Sequence, residues 1–209
     1  MMKVLMINGS PNKMGCTFTA LSEVAGALGK RGIASEIFWI GKKAIQGCAA
    51  CWGCMKLSRC VFGDDGVNEL NARAGEFDAM VIGSPVYYGG PAGGLCAFLD
   101  RFFLSGGAEK WAGKLGACVV SCRRGGASAA FDRLNKYFTI CNMPVVSSQY
   151  WNQVHGNSPE QVMQDLEGLQ TMRTLGENMG YLLECIEAGR KAGVPEPDIE
   201  ETVYTNFIR

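Results

Sequence analysis

Short apolar runs alternate with longer segments of helical periodicity along this chain. Each run is continuous and is followed by turn residues, as is typical of strands that are buried on both faces of a parallel sheet. The runs lie at residues 3–8, 35–40, 79–84, 115–121 and 144–147. Between them, apolar residues recur every three or four positions, which indicates helices that bury one face. The alternation predicts an α/β fold with a five-stranded parallel sheet, helices on both faces and right-handed crossovers.

The length and composition of the chain suit one core, because its 209 residues are 47% hydrophobic. We therefore expect a single domain over residues 1–209. A loop at residues 47–61 is inserted after the second strand, and a C-terminal helix plus tail spans residues 158–209. The tail contains Tyr204, Phe207 and Ile208, which have no identified partner within the chain, so we expect the tail to pack on a second subunit.

The charge balance excludes two classes of partner. Lys plus Arg and Asp plus Glu both number 20, so there is no net charge to attract nucleic acid or an anionic membrane surface. The N-terminus passes from Met1 into an apolar run that is too short for a signal peptide, and no apolar stretch is long enough to span a membrane. We expect a cytoplasmic protein.

The loop at residues 9–17 joins the first strand to the first helix, which makes it an anion site by position. The first N–H groups of a helix have no partner within it, and the helix dipole is positive there. Ser10, Asn12 and Thr17 add side-chain donors. The loop matches neither a Walker A motif, since Cys16 stands where Lys is needed, nor a dinucleotide fingerprint, which needs a further glycine. A phosphate site and an ordinary capped turn both remain open.

The third strand ends in a loop with two aromatic residues, Tyr87 and Tyr88, followed by two glycines, Gly89 and Gly90. In an open α/β sheet, ligands bind at the carboxyl ends of the strands, where the strand order reverses. If the reversal falls between the first and third strands, the loops after both strands face one ligand. The two tyrosines then contact that ligand, whereas a lone pair of tyrosines would more often pack under a loop.

Two loops, together with the cysteine-rich segment between them, resemble the flavodoxin-like NAD(P)H-dependent FMN reductases, and within them the iron-sulfur flavoproteins. The two loops are the Gly-Ser-Pro-Asn loop with Gly15 and Thr17, and the Gly-Ser-Pro-Val-Tyr-Tyr-Gly loop at residues 83–89. The resemblance implies FMN as cofactor and a flavodoxin-like three-layer sandwich with strand order 2-1-3-4-5. It implies phosphate contacts from Ser10, Asn12, Gly15, Cys16 and Thr17, and contacts with the ribityl chain and the ring from Pro85, Val86, Tyr87, Tyr88 and Gly89.

A third loop, at residues 121–126, follows the fourth strand, and the resemblance implies that it also reaches the flavin. Its candidate contacts are Ser121, Arg123 and Gly126. Arg123 or Arg124 would hold an anionic flavin or the phosphate of NADPH, unless both belong to a solvated basic turn. His155, the one histidine, lies in an aromatic-rich loop that either covers a flavin or has no chemical role.

Four of the ten cysteines lie close together in the loop after the second strand. They are Cys48, Cys51, Cys54 and Cys60. Four thiolates on a compact, turning backbone suit a [4Fe-4S] cluster, whereas structural zinc more often uses two Cys-x2-Cys pairs with a longer span between them. The resemblance to iron-sulfur flavoproteins supports the cluster. Reduced thiols and a regulatory disulfide stay open as alternatives.

The resemblance implies an FMN-dependent oxidoreductase that passes electrons from NAD(P)H, or from a ferredoxin, to a quinone, a flavin or a similar acceptor. The flavin would carry the chemistry, so we expect no catalytic side chain. Such proteins are usually dimers or tetramers, which implies a homodimer or homotetramer here. The alternative is a non-enzymatic electron carrier of the flavodoxin type, although those carriers are typically acidic and lack a four-cysteine loop.

Overall fold

The computed structural model describes residues 1–205 and 207. Asn206, Ile208 and Arg209, which belong to the expected tail, lie outside the described residues. The strands, in chain order, are β1 (Lys3–Asn8), β2 (Ala34–Trp39), β3 (Ala79–Tyr87), β4 (Gly90–Pro91), β5 (Leu115–Cys122) and β6 (Gln153–His155). The helices are α1 (Cys16–Lys30), α2 (Cys54–Leu57), α3 (Val67–Ala72), α4 (Gly93–Phe102), α5 (Ala108–Trp111), α6 (Ala127–Ile140), α7 (Pro159–Val162) and α8 (Leu166–Lys191).

Five strands form a parallel sheet in the order β2-β1-β3-β5-β6, and the short β4 pairs antiparallel with β3. When only the parallel strands are counted, this order is 2-1-3-4-5. The register places Ala79 of β3 between Val4 of β1 and Leu115 of β5. The expected fold class is therefore confirmed, and the carboxyl ends of β1, β3 and β5 lie side by side at one edge of the sheet.

Two apolar cores lie on the two faces of the sheet, because successive residues of a strand point to opposite faces. On β1, Leu5 and Ile7 belong to a core formed with α3, α4, α5 and α6. Val4 and Met6 belong to a core formed with α1, α7 and α8. All four side chains are fully buried. The helices thus cover both faces and complete the three layers.

The last parallel strand lies later in the chain than the sequence predicts. Residues 144–147 form only an isolated bridge, in which Val145 pairs with Gly116 of β5. The Gly116 N–H donates to Pro144 O at 2.9 Å, and the Val146 N–H donates to Gly116 O at 2.8 Å. Pro144 has no N–H of its own to extend the ladder, and regular pairing resumes only with β6. Placing the fifth strand at residues 144–147 was therefore wrong.

The C-terminal part of the chain consists of the long helix α8 and the tail that follows it. The tail contains no helix or strand in the part that the structure describes, and the side chains of Tyr204 and Phe207 are exposed there. Among the described residues, no helix combines the length and the apolar character that a membrane-spanning helix needs.

Candidate functional site

Three loops meet beside one cavity at the carboxyl edge of the sheet. They follow β1, β3 and β5, and the cavity has a volume of about 280 Å³. Of the residues expected from the sequence, it is lined by Ser10, Asn12, Gly15, Cys16, Thr17, Pro85, Val86, Tyr87, Ser121 and Arg123. The other three, Tyr88, Gly89 and Gly126, lie in the same loops and shape them. The fold therefore brings together segments that are distant in the chain.

The loop after β1 is held in shape by its own polar groups. The Ser10 N–H donates to Asn8 Oδ1 at 3.1 Å, and the Asn12 N–H donates to Ser10 Oγ at 3.1 Å. From β2, the Trp39 indole N–H donates to Ser10 O at 2.7 Å. Gly15 then begins α1 with an extended backbone, and no side chain among the described residues caps this helix start. The amides of the first turn are thus available to an anion at the positive end of the helix.

Gly9 is required where this loop leaves β1, because a side chain there would collide with two neighbours. The Gly9 N–H donates to Gly83 O at 2.9 Å. A Cβ atom on Gly9 would lie 2.5 Å from Leu95 Cδ2 and 2.9 Å from Gly83 O. The loop is therefore pinned against the end of β3, beside the second loop.

The loop after β3 is a tight hairpin, in which β3 and β4 are joined by Tyr88 and Gly89. Both residues have positive φ, 50° and 75°, as the two-residue turns of hairpins often require. A tyrosine rarely adopts this conformation. The Tyr88 side chain is fully exposed and that of Tyr87 is 47% exposed. Neither ring is packed under the loop, so both are free to stack on a planar ligand.

The loop after β5 packs directly on the hairpin. Gly126 has a φ of 88°, and a Cβ atom there would lie 2.8 Å from Gly89 Cα. Ser121, at the end of β5, reaches the first loop, since its hydroxyl lies 2.9 Å from the Thr17 hydroxyl. Arg123 is exposed and lines the cavity. The third loop therefore contacts both of the others.

A fourth segment, which follows β6, completes the cavity, and none of its lining residues was among the predicted contacts. Gly156, Asn157 and Pro159 line the cavity there. Gly156 O lies 3.7 Å from the Cys16 Sγ in the first turn of α1. Burial raises the pKa of the Cys16 thiol, so this side chain stays neutral and does not repel an anion. Ser158 before Pro159 is a helix-start signal, which would have located α7 but not its contact with the cavity.

His155 lines a different cavity, of about 180 Å³, beside the start of α8. Its Nδ1 atom is 3.6 Å from Asp165 Oδ2. The Asp165 carboxylate accepts a hydrogen bond from the His155 N–H at 2.6 Å and caps α8 by accepting one from the Gly168 N–H at 2.9 Å. Local structure therefore accounts for the position of His155.

The four clustered cysteines line one small cavity, of about 20 Å³, in the loop after β2. Cys48 and Cys51 are exposed, Cys54 is partly buried and Cys60 is buried. Four larger apolar side chains also line it, namely Trp52, Val61, Phe62 and Leu104, and Ala49, Arg101 and Ser105 complete the lining. All ten cysteines are free thiols.

The backbone of this loop is tightly turned at residues other than glycine. Ala50, Trp52 and Ser58 have φ values of 49°, 56° and 52°. Such left-handed residues are unfavourable and persist only when their surroundings impose them. A kinked turn at Phe103–Gly107 follows α4 and supplies one such contact, since the Cys54 Sγ lies 3.8 Å from Leu104 O. The loop is thus built to a defined shape.

The positions of the side chains in this loop restrict which kind of metal group it can bind. Among the described residues, no three His, Cys, Asp or Glu side chains are arranged to hold a single metal ion. A [4Fe-4S] cluster makes a different demand, because its four thiolates bind four different irons. Four thiols line one cavity, beside the buried Arg101, which donates to Cys60 Sγ at 3.1 Å, so the loop has the donor atoms that such a cluster needs.

The sequence profile of the NADPH-dependent FMN reductase family matches residues 2–158. The chain belongs to this family. In this FMN reductase family member, the matched segment runs from β1 past β6, so it contains the three loops of the 280 Å³ cavity as well as the cysteine loop.

Curated relatives of this FMN reductase family member are iron-sulfur flavoproteins. One from Methanocaldococcus jannaschii is 30% identical over 193 residues, which cover 89% of this chain and all of the relative. Another, from Archaeoglobus fulgidus, is 25% identical over 197 residues, which cover 88% of this chain and 98% of the relative. The resemblance to the iron-sulfur flavoprotein branch is therefore confirmed.

Solved structures agree with the flavodoxin-like fold of this family member. RosB, in complex with 8-demethyl-8-formylriboflavin-5'-phosphate, superimposes with a TM-score of 0.70 over the whole of this chain and 93% of RosB, at 15% identity. An NAD(P)H:quinone oxidoreductase from Methanothermobacter marburgensis has a TM-score of 0.63 over 85% of this chain and 96% of its own, at 16% identity. At these identities the likeness establishes the fold.

Proposed function

We propose that this protein is an FMN-dependent oxidoreductase that passes electrons from NAD(P)H, or from a ferredoxin, to a quinone, a flavin or a similar acceptor. One observation carries the proposal: three loops surround a single cavity, with an uncapped helix start in one loop and exposed tyrosine rings in another. Membership in the FMN reductase family supports it, as does a fold neighbour that is named as a quinone oxidoreductase.

The phosphate of FMN would bind at the start of α1. The first-turn amides point to this position, and Ser10 and Thr17 add hydroxyl groups to the cavity wall. Among the described residues that line the cavity there is no acidic side chain, and Arg123 is the one cation. An anionic group is therefore favoured there over a neutral or cationic one.

The isoalloxazine ring would lie beside residues 85–89. Bound FMN supplies the hydride and electron transfer, so the chain contributes binding and orientation. The rings of Tyr87 and Tyr88 would stack on or border the flavin, and the contact between Gly126 and Gly89 fixes the hairpin that carries them. Arg123 would place a positive charge beside an anionic group of the flavin or of NADPH.

A [4Fe-4S] cluster would be held by Cys48, Cys51, Cys54 and Cys60. The proposal is supported by their common cavity and by the turned backbone between them. The relatives' name, iron-sulfur flavoprotein, also favours it. Thiolate ligation by four cysteines is the usual way in which proteins hold such a cluster.

We also propose that the protein is a cytoplasmic, single-domain homodimer or homotetramer. Several large apolar side chains are exposed, among them Trp151 at 50%, Leu166 at 75% and Tyr181 at 59%. Exposed apolar groups of this kind mark protein interfaces when they form a patch. Sedimentation equilibrium of the FMN-loaded protein would measure the assembly, and a monomer at micromolar concentration would reject this part of the proposal.

The activity is tested by mixing the FMN-loaded protein with NADPH or NADH without oxygen and following the flavin absorption band. The account predicts that the band bleaches, that a quinone restores it, and that many NAD(P)H molecules are oxidised per protein when quinone is in excess. A matched sample with free FMN and no protein measures the background rate.

The flavodoxin-type carrier makes a different prediction in the same experiment. A carrier would bind FMN and exchange single electrons with reduced ferredoxin, but neither NADPH nor NADH would bleach its flavin band on a catalytic timescale. A protein that binds no FMN would reject both the enzyme and the carrier.

A further inference from the structure

Arg101, on α4, is a buried cation that contacts the cysteine loop. Its side chain is 1% exposed, and it forms an ion pair with Asp65, which is 17% exposed. Its Nε donates to Cys60 Sγ at 3.1 Å. Burying a guanidinium costs free energy unless charged and polar partners surround it. The partners of Arg101 therefore indicate what its burial achieves.

The remaining donors of Arg101 reach both ends of the cysteine loop. Its Nη1 donates to Gln46 O at 3.2 Å, and its Nη2 donates to Phe62 O at 2.9 Å. Together with Asp65 and Cys60, these contacts join α4 to the segments that enter and leave the loop. Guanidinium suits this task because its donors form a rigid fork.

A purely structural role, in which Arg101 joins α4 to the cysteine loop, does not explain the contact with Cys60. The sulfur of a neutral thiol is a weak acceptor, and Arg101 already has two carbonyls and a carboxylate as partners. A metal-bound thiolate, by contrast, carries negative charge and accepts strong, charge-assisted hydrogen bonds. The Nε of Arg101 is thus directed at the one atom of the loop that cluster binding would make anionic and buried.

We propose that Arg101 is a positioning residue that holds Cys60 in place and raises the reduction potential of the cluster, while Asp65 orients the guanidinium and offsets part of its charge. The inference rests on the proposed function, since it requires the four cysteines to bind a [4Fe-4S] cluster. Reduction adds one electron and one negative charge to the cluster, and no bond forms or breaks. A fixed cation beside a ligand sulfur therefore stabilises the reduced form more than the oxidised form.

The test is a redox titration of the reconstituted holoprotein with dithionite as reductant, in which electron paramagnetic resonance measures the reduced cluster. In Arg101→Met, the affinity of the cluster for the electron falls about tenfold, which is about 59 mV for a one-electron couple. In Asp65→Asn, where a negative charge near Arg101 is removed, the potential rises. Arg59→Met is the matched control: it removes an equal charge from the residue next to Cys60, but Arg59 is exposed, so solvent screening leaves the potential nearly unchanged.

The reduction potential shifts in opposite directions in Arg101→Met and Asp65→Asn. A merely structural role would alter cluster content or stability without producing these opposite shifts. An unchanged potential in Arg101→Met, or a potential in Asp65→Asn at or below that of the wild type, overturns it. If Arg101→Met binds no cluster, then Arg101→Lys, which keeps the charge, and Asp65→Asn decide: the inference requires Arg101→Lys to stay near the wild-type potential while Asp65→Asn rises. A wild-type protein that binds no cluster after reconstitution would instead overturn the proposed cluster itself, and this inference with it.

Discussion

The hydroxyl groups of Thr17 and Ser121 lie 2.9 Å apart and are both buried, so they join the first turn of α1 to the end of β5. Thr17→Val keeps the shape of the side chain but leaves the Ser121 hydroxyl without this partner, which costs about 1–3 kcal/mol. We expect a lower free energy of unfolding and about tenfold weaker FMN binding, measured by denaturation and by quenching of flavin fluorescence. Thr19→Val is the control, because the Thr19 hydroxyl contacts only Gly15 O, at 3.3 Å, among the described residues. Equal FMN affinity in the two variants would contradict the assigned role of the pair.

Gly126 and Gly125 form a matched pair for testing the contact between the second and third loops. A Cβ atom on Gly126 would lie 2.8 Å from Gly89 Cα, and the φ of Gly126 is 88°, whereas a Cβ atom on Gly125 would meet nothing within 4 Å. Gly126→Ala should therefore destabilise the fold by at least about 1–2 kcal/mol, the usual cost of a left-handed alanine, and displace the tyrosine hairpin. Titration with FMN should show weakened binding for Gly126→Ala and normal binding for Gly125→Ala; similar affinities would mean that the hairpin does not position the flavin.

Glu36 makes the free energy of unfolding vary with pH in the acidic range. A hydrogen bond from Arg73, with a second from Lys3, lowers the pKa of the Glu36 carboxyl from 4.5 to about 2. Since this pKa is lower in the folded chain, the carboxylate stabilises the fold fully above about pH 4.5 and loses its contribution as the pH falls towards 2.

Glu36→Gln should accordingly lower the free energy of unfolding by about 1 kcal/mol at neutral pH, a value reduced by solvent screening because the side chain is 30% exposed. The difference from the wild type should shrink as the pH is lowered from 4.5. Glu69→Gln is the control, since Glu69 is 58% exposed and lies 3.6 Å from Arg73. Urea denaturation over this pH range measures both variants, and a difference that grows on acidification would have the wrong sign.

We expect loss of iron from the cysteine loop to leave FMN binding in the flavin cavity intact. Cys51→Ser removes one of the four thiolates and should abolish most of the iron bound after anaerobic reconstitution, while FMN binding remains. Cys185→Ser, at an exposed cysteine on α8, should keep both the iron and the FMN. Iron and flavin analysis of the same samples checks this, and full iron content in Cys51→Ser would exclude the four-cysteine ligand set.

Much of the flavin site could be predicted because it depends on local signals at strand ends. Gly9, Ser10 and Tyr87 belong to short motifs whose position after an apolar strand places them at one edge of a parallel sheet. The contribution of Gly156 to the cavity could not be found in this way. The preceding strand, β6, has three residues and one buried apolar side chain, Val154, and is therefore too short for a strand periodicity to be recognised.

Arg101 was missed for another reason. It lies three residues after Phe98 on the apolar face of α4, so a charged residue at a core position was present in the sequence as a signal. Its partners, however, come from a loop without regular periodicity, and only the folded chain brings Asp65 and Cys60 to it. Contacts between distant irregular segments are therefore the part that sequence patterns do not predict.

The central claim is that the loop from Gly9 to Thr17 binds the phosphate of FMN, and riboflavin tests it most directly because it lacks only that phosphate. The apoprotein is titrated with each compound, and flavin fluorescence measures the dissociation constants. Charge-assisted hydrogen bonds contribute about 1.5–3 kcal/mol each, so riboflavin should bind at least about 100-fold more weakly than FMN, a difference of about 2.8 kcal/mol. Equal affinities for FMN and riboflavin would contradict the account.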